Sequence, residues 1–290
     1  MEQKINDINE DTSTPNAPNI ETTDENLTVD AMFQQSSLPS LGRQIFSVLP
    51  INGPTGGLFN IKKKAVGNEF ELVKRNVEVY NSAAIKTALT QEAVQDLKAM
   101  HGKEANLVVG KLLRGLANDD ENTKTLAFLV AQAKAAAGLT LTSSSNSEVT
   151  LFELTKKVTD LILEINKLNL RTYEACAIVP YKAVSAMMAL SQYAGGDDDG
   201  ERGLFIAKIG KTRYYTNPDS TSLVAYVVLR DSENPSKSSA VFSPYMGQII
   251  EARDPDSGSL TYHIFNRYAI TASPLHITNN EMIYSFAITL

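Results

Sequence analysis

Leu58-Phe59-Asn60-Ile61-Lys62-Lys63-Lys64 and Phe70-Glu71-Leu72-Val73-Lys74-Arg75-Asn76-Val77-Glu78-Val79-Tyr80 flank the dipeptide Gly67-Asn68. Two extended runs around a Gly-Asn turn read as a long β-hairpin. The turn-rich stretch Gly53-Pro54-Thr55-Gly56-Gly57 opens it. Its alternation is imperfect, and both faces carry charge. A two-stranded ribbon is marginal alone in water, so this one needs a surface to lie on, and the chain supplies no obvious one. Lys62, Lys63, Lys64, Lys74 and Arg75 form the one basic patch. It reads as a solvated face, as a phosphate contact, or as a charged ribbon docking on a neighbouring subunit. The third suits the geometry best and makes Lys62, Lys63, Lys64, Glu71, Lys74 and Arg75 the candidate inter-subunit contacts.

After the ribbon the period changes. Val94, Leu97, His101, Ala105, Val108, Leu112 and Leu116 step by three and four, a single helical stripe from an N-cap at Thr90. A second helix is expected from about Glu121 to Ala137, ended by Gly138. The capping-box pattern at Thr150 to Glu153 opens a third, with stripe Leu151, Leu154, Val158, Leu161, Ile165 and Leu168. Ala175–Val179 reads as a buried strand, and Pro180 starts a further helix through Met187, Met188 and Leu190. Strand-like runs then follow at Leu204–Ile209, Thr212–Tyr215, Leu223–Leu229, Val241–Phe242, Ile249–Glu251, Leu260–Ile270 and within Leu275–Leu290. The class is α+β, with antiparallel pairing toward the end.

The 290 residues are 43% hydrophobic and 21% charged, which places the chain among globular proteins. Charge is unevenly spread. Residues 1–40 hold eight acids (Glu2, Asp7, Glu10, Asp11, Glu21, Asp24, Glu25, Asp30) against Lys4, net −7. The whole chain is −6, so residues 41–290 carry 26 bases and 25 acids. Residues 1–37, rich in Asn, Thr, Asp, Glu, Ser and Pro, read as a flexible acidic arm. A nearly neutral body argues against a dedicated nucleic-acid reader. No apolar run is long enough to span a bilayer, and nothing apolar follows Met1-Glu2-Gln3-Lys4, so no secretory signal and no membrane association are expected.

Tests for chemistry fail one by one. Gly210-Lys211-Thr212 lacks the glycine a phosphate loop needs at position 205, which is Phe205, and reads as a β-turn between two strand-like runs. Asp197-Asp198-Asp199-Gly200-Glu201 has consecutive acids rather than the alternating ligands of a calcium loop. Asp254-Pro255-Asp256-Ser257-Gly258 is a turn. Cys176 sits in an apolar run and reads as buried and inert; alone, it permits no intramolecular disulfide. His101, His263 and His276 lie far apart, without metal-ligand spacing. No catalytic residue, cofactor site or metal site is expected.

The residues resemble a known family. Ser40-Leu41-Gly42-Arg43-Gln44-Ile45-Phe46 and Gly53–Gly57 look like the approach to the extended loop of myovirus-type tailed-phage major capsid proteins. The join of Phe70-Glu71-Leu72 to the helix Thr90-Gln91-Glu92-Ala93-Val94-Gln95-Asp96-Leu97-Lys98-Ala99-Met100-His101-Gly102 is similar to that family. So is Asn266-Arg267-Tyr268-Ala269-Ile270 after Asp254–Gly258. The resemblance covers residues 38–290.

That resemblance implies the Hong Kong-97 capsid fold, with an extended β-hairpin loop, a long spine helix, and peripheral and axial domains. Residues 1–37 would be the arm, 38–88 the N-arm and extension loop, and 89–170 the peripheral domain with its spine helix. Residues 171–259 would be the axial domain, and 260–290 the return to the peripheral domain. The implied function is a structural, non-enzymatic subunit of an icosahedral phage head that self-assembles around packaged double-stranded DNA. The implied partners are further copies in hexamers and pentamers, with scaffold, maturation protease, vertex and portal proteins, and weak non-specific contact with DNA. The protein would be assembled in the host cytoplasm and reside in the virion. Ile8-Asn9-Glu10 matches the family's protease motif, making Glu10 a candidate cleavage point. Rival readings are an encapsulin-like shell protein, a capsid vertex subunit, and a DNA-binding packaging factor.

Overall fold

The computed structural model describes residues 40–63, 70–101, 105–140, 147–169, 174–181, 183, 204–219, 221–231, 233–253, 259–275 and 282–289. The candidate cleavage point at Glu10, Lys64, the Gly67-Asn68 turn, most of the helix expected after Pro180, Asp197–Glu201, Asp254–Gly258 and His276 lie outside them.

The first described elements are a short helix α1 (Leu41–Ile45) and strand β1 (Ser47–Val48). The expected hairpin follows as β2 (Thr55–Lys63) and β3 (Phe70–Glu78), an antiparallel pair that forms its own sheet. Strand β4 (Asn81–Leu89), which the sequence reading missed, turns directly off the ribbon.

Two helices come next, α2 (Gln91–His101) and α3 (Ala105–Gln132). The Thr90 carbonyl accepts the Val94 N–H at 3.1 Å, so α2 begins where expected. The expected interruption between Leu116 and Glu121 does not occur. The polar run Asn118-Asp119-Asp120-Glu121-Asn122, where the two expected helices meet, lies inside the 28-residue α3. Lys124 pairs with Asp120 one turn earlier at 2.7 Å, while Glu121 and Asn122 bind α1. The core stripe is also out of phase with expectation. Val109, Leu113 and Ala117 are buried, whereas Leu112 and Leu116 are 36% and 43% exposed. Four-residue steps carry the buried face on through Glu121, Thr125 and Leu129.

Helix α4 (Ser147–Asn169) starts three residues before the expected cap and buries the expected Leu154, Val158, Leu161 and Ile165. Two short strands, β5 (Lys134–Ala135) and β6 (Leu139–Thr140), link α3 to α4. The remaining strands are β7 (Glu174–Val179), β8 (Phe205–Ile209), β9 (Thr212–Thr216), β10 (Val224–Arg230), β11 (Ala240–Arg253), β12 (Leu260–Ala272) and β13 (Ile283–Thr289). Gly210, at φ +62°, makes the tight β8–β9 turn that the sequence indicated.

Two larger sheets result. One has the order β1-β11-β12-β4; the other runs β5-β13-β10-β7-β9-β8, with β6 also on β13. Pairing in the late strands is antiparallel except for β7 with β9, which run parallel. The large sheet is covered on both faces. Ala175, Ala177 and Val179 of β7 face α4, while Cys176 and Ile178 pack with Leu41, Ile45, Leu129 and Phe242. Cys176 is therefore a core residue, as expected. On the four-stranded sheet, Val109, Leu113 and Ala117 of α3 pack on Tyr262 and Ile264. Strands β11 and β12, which flank the expected boundary at residue 259, are partners in that sheet, and β13 belongs to the other one.

Candidate functional site

The ribbon is anchored at its base. Leu58 and Val77 are buried against Val241 and Ala269, beside Leu49 and Ile51. The Val79 N–H donates to the Pro54 carbonyl at 2.9 Å, and the Tyr80 hydroxyl donates to the Ile270 carbonyl at 2.8 Å. Beyond the base the ribbon carries exposed apolar side chains beside its charges. Phe59 is 51% and Leu72 66% exposed. Both lie on the face shared by positions 57, 59, 61 and 63 of β2 and 70, 72, 74 and 76 of β3. Lys74 stands opposite Phe59 and holds its ammonium 5.5 Å from the ring centroid. A Cβ added to Gly57 would lie 3.1 Å from the Phe59 ring and 3.5 Å from the Lys74 stem, so glycine gives that pair its room.

Register divides the candidate contact residues. Lys62 is cross-strand partner to Glu71, and Arg75 shares their face, opposite Leu58. Lys63 and Lys74 occupy the other face. The candidate contacts are thus divided between the two faces, in line with the charge read on both, and Lys62 and Glu71 stand in register. Burial lowers the Arg75 pKa from its ordinary value, partly offset by Tyr80. Phe59 and Leu72 were missed because their alternation with lysines hid a common parity; counting every second residue from Phe59 and from Leu72 would have found it.

A second surface lies on the side of the four-stranded sheet away from α3. Met246 and Ile250 of β11 share it with His263 and Phe265 of β12 and with Ala84 of β4. Met246, Ile250 and Phe265 are all exposed. The His263 and Phe265 rings stack nearly parallel, with centroids 6.0 Å apart. Sequence reasoning missed this face as well, because it broke β11 into two short runs and omitted β4.

A buried polar clamp joins the start of the described chain to α3. The Arg43 guanidinium donates to both Glu121 carboxylate oxygens, at 2.9 and 3.1 Å, and Asn266 Nδ2 donates to Oε1 at 2.5 Å. Asn122 Oδ1 accepts the Leu41 N–H at 2.6 Å. Glu121 is fully buried, so removing Arg43 would leave a carboxylate short of its counter-ion. Arg43 also lies 5.0 Å over the Phe242 ring, which stacks on Tyr268. Burial, followed by the charges of Asp120 and Glu121, pushes the Tyr268 hydroxyl well above the usual phenol range. Among the described residues no three metal-ligating side chains cluster, and no helix is long and apolar enough to cross a membrane.

The family model described as Major capsid protein Gp23 matches residues 62–288. The chain belongs to this family. It is a structural, non-enzymatic subunit of an icosahedral phage head, it self-assembles, and it resides in the virion. Solved structures share its architecture at low identity. A chain of Mycobacterium phage Che8 is 12% identical, with a TM-score of 0.54, over 88% of this chain and 90% of that one. A virus-like particle from Pyrococcus furiosus is 12% identical, with a TM-score of 0.56, over 90% and 96%. The capsid of cyanophage P-SCSP1u is 8% identical, with a TM-score of 0.54, over 87% and 89%. These likenesses establish the α+β Hong Kong-97-type capsid fold. No curated protein sequence matches the capsid subunit.

Proposed function

We propose that the ribbon of this capsid subunit docks on the next copy in the shell, its Phe59/Leu72 face against the neighbour's open β11–β12–β4 face. The observation that carries this reading is the pair of exposed apolar surfaces, one on a projecting ribbon and one on a sheet. Neither has a partner to cover it within the described part of its own chain. Lys62, Lys63, Lys64, Glu71, Lys74 and Arg75 then act as the charged rim that sets register rather than as the main source of affinity. A standard interface buries about 1,600 Å², roughly 40 kcal/mol gross at about 25 cal/mol per Å², most of it consumed by lost freedom and imperfect polar pairing. Several modest contacts per subunit suffice to close a shell.

Sheet membership supports a revised domain assignment. The four-stranded sheet with α3 is the peripheral domain, and its spine helix, expected from Thr90, includes α3 as far as Gln132. The larger sheet with α4 and β13 is the axial domain. The chain then passes from axial to peripheral in residues 231–239 and returns after β12. The subunit assembles in the host cytoplasm, as hexamers and pentamers, with scaffold, vertex and portal partners and only weak contact to DNA. A maturation protease cleaves the arm after Glu10; a full-length mass from mature particles would contradict cleavage. Membership of a major capsid protein family favours the shell role over a packaging factor that uses the basic ribbon.

The test is a pair of ribbon variants. Phe59→Asp with Leu72→Asp, and Lys62→Glu with Lys63→Glu and Lys64→Glu, should each leave the circular dichroism spectrum unchanged and abolish particles in electron micrographs. Normal particles from both would overturn ribbon docking.

A further inference from the structure

Strand β11 is flanked on both sides only as far as Pro244. Parallel β1 pairs with Val241 and Phe242. The chain after β1 donates from the Leu49 and Ile51 N–H groups to the Phe242 and Pro244 carbonyls, at 2.9 and 3.2 Å. The register then shifts between Pro244 and Met246. From Met246 to Arg253 no described strand lies on the side away from β12. Natural sheets blunt such an edge with proline, charged side chains, bulges or short length. The register shift before Met246 is one such device and Glu251 and Arg253 are charged, but Met246-Gly247-Gln248-Ile249-Ile250 carries neither proline nor charge. A Cβ built at Gly247 would meet nothing within 4 Å.

The two flanks of this edge differ in chemistry. On the α3 side a cavity of about 370 Å³ opens, with Arg114, Asn118, Asn266 and the ion pair of Arg43 with Glu121 in its wall, so that Arg114 is the cation left to be met. Arg114 has no ion-pair partner among the described residues. On the other side lie the exposed Met246 and Ile250. An added strand would therefore need acidic or polar residues at one parity and apolar residues at the other.

The 39 residues before Ser40 contain such a segment. In Leu27-Thr28-Val29-Asp30-Ala31-Met32-Phe33, positions 27, 29, 31 and 33 are apolar, while 28 and 30 are Thr and Asp, and only Met32 departs from the alternation. Ser40 adjoins α1, whose Arg43 lines the cavity beside the edge. The stretch from Phe33 to Ser40 reaches roughly 23 Å when extended, at about 3.3 Å per residue, ample to bring the segment alongside β11. We infer that residues 27–33 of the same chain add as a strand to the Met246–Arg253 edge, with Asp30 toward Arg114 and Leu27, Val29 and Phe33 toward Met246 and Ile250. Main-chain hydrogen bonds supply the attachment, and side-chain parity sets the register. The inference concerns a single subunit and stands apart from ribbon docking.

Amide hydrogen exchange on the dilute, unassembled full-length chain tests it. Amides of residues 27–33, and the outward-facing amides of 246–253, should exchange at least tenfold more slowly than in a full-length Thr28→Pro, Asp30→Pro variant. Arg114→Glu should reduce that protection, and adding Asp30→Lys should restore it. Free-peptide exchange rates over 27–33 in the unsubstituted chain would overturn the inference. So would protection that appears only as concentration rises, since that would assign the strand to another copy.

Discussion

The two larger sheets of this capsid subunit are built from similar residues and treated differently. The sheet around β7 and β10 is sealed on both faces, by α4 on one side and by α1, α3 and the ends of β11 and β12 on the other. The sheet of β11, β12 and β4 is sealed by α3 on one face and left open on the other, with Phe265 and Ile250 in contact with solvent. The first sheet stabilises the subunit. The second is half finished, and the molecule carries a ribbon that is half covered in the same way. Where a subunit must join others, apolar area is withheld from its own core and kept for the contact between copies.

Substituting the two sheets identically should separate these roles. Val228→Asp buries an unpaired carboxylate in the sealed sheet, a cost of several kcal/mol against a total stability of about 5–15. The expected outcome is loss of the cooperative unfolding transition. Phe265→Asp in the open face should change stability by no more than about 1 kcal/mol and abolish assembly, as read by denaturation and by particle yield. A smaller contrast lies along α3. Leu113→Ala should cost about 2–5 kcal/mol, and Leu112→Ala, one residue earlier, under about 1 kcal/mol; equal losses in urea titrations would mean that the helix is phased otherwise.

The same contrast explains what could be read in advance. Elements whose pattern is local and whose neighbours are intramolecular were legible: the α4 stripe, the buried run Ala175–Val179, the Gly210 turn and the paired runs of the ribbon. Misreadings arose where a distant partner overrides the local signal. The chain was expected to break between Leu116 and Glu121, yet α3 runs through, with Glu121 and Asn122 bound by Arg43 and the Leu41 N–H about eighty residues away. The runs Val241–Phe242 and Ile249–Glu251 were read as separate, but β11 carries through the register shift between Pro244 and Met246 that lies between them. β4 is mostly Ala, Ser and Asn at its start and offers little alternation to find. The apolar parity of Phe59 and Leu72 was masked by the lysines between them.

The smallest expected effect concerns pH. The Tyr268 pKa is raised in the folded state above its ordinary value of 10.0, so the folded chain holds that proton more tightly than the unfolded one. Stability is complete below pH 10 and falls as pH rises beyond it. Tyr268→Phe should flatten part of that decline in thermal melts between pH 9 and about pH 11, relative to the unsubstituted chain. An unchanged slope would place the alkaline sensitivity elsewhere, with the buried Tyr214, whose pKa burial also raises, the next group to test.

The most direct measurement of the central claim is an electron cryomicroscopy map of the assembled shell, resolved well enough to trace side chains. The account predicts the Phe59 and Leu72 side chains of one subunit seated on the Met246, Ile250 and Phe265 face of the next. A map with that ribbon folded on its own subunit, or with the open sheet face bare inside a closed shell, would contradict it.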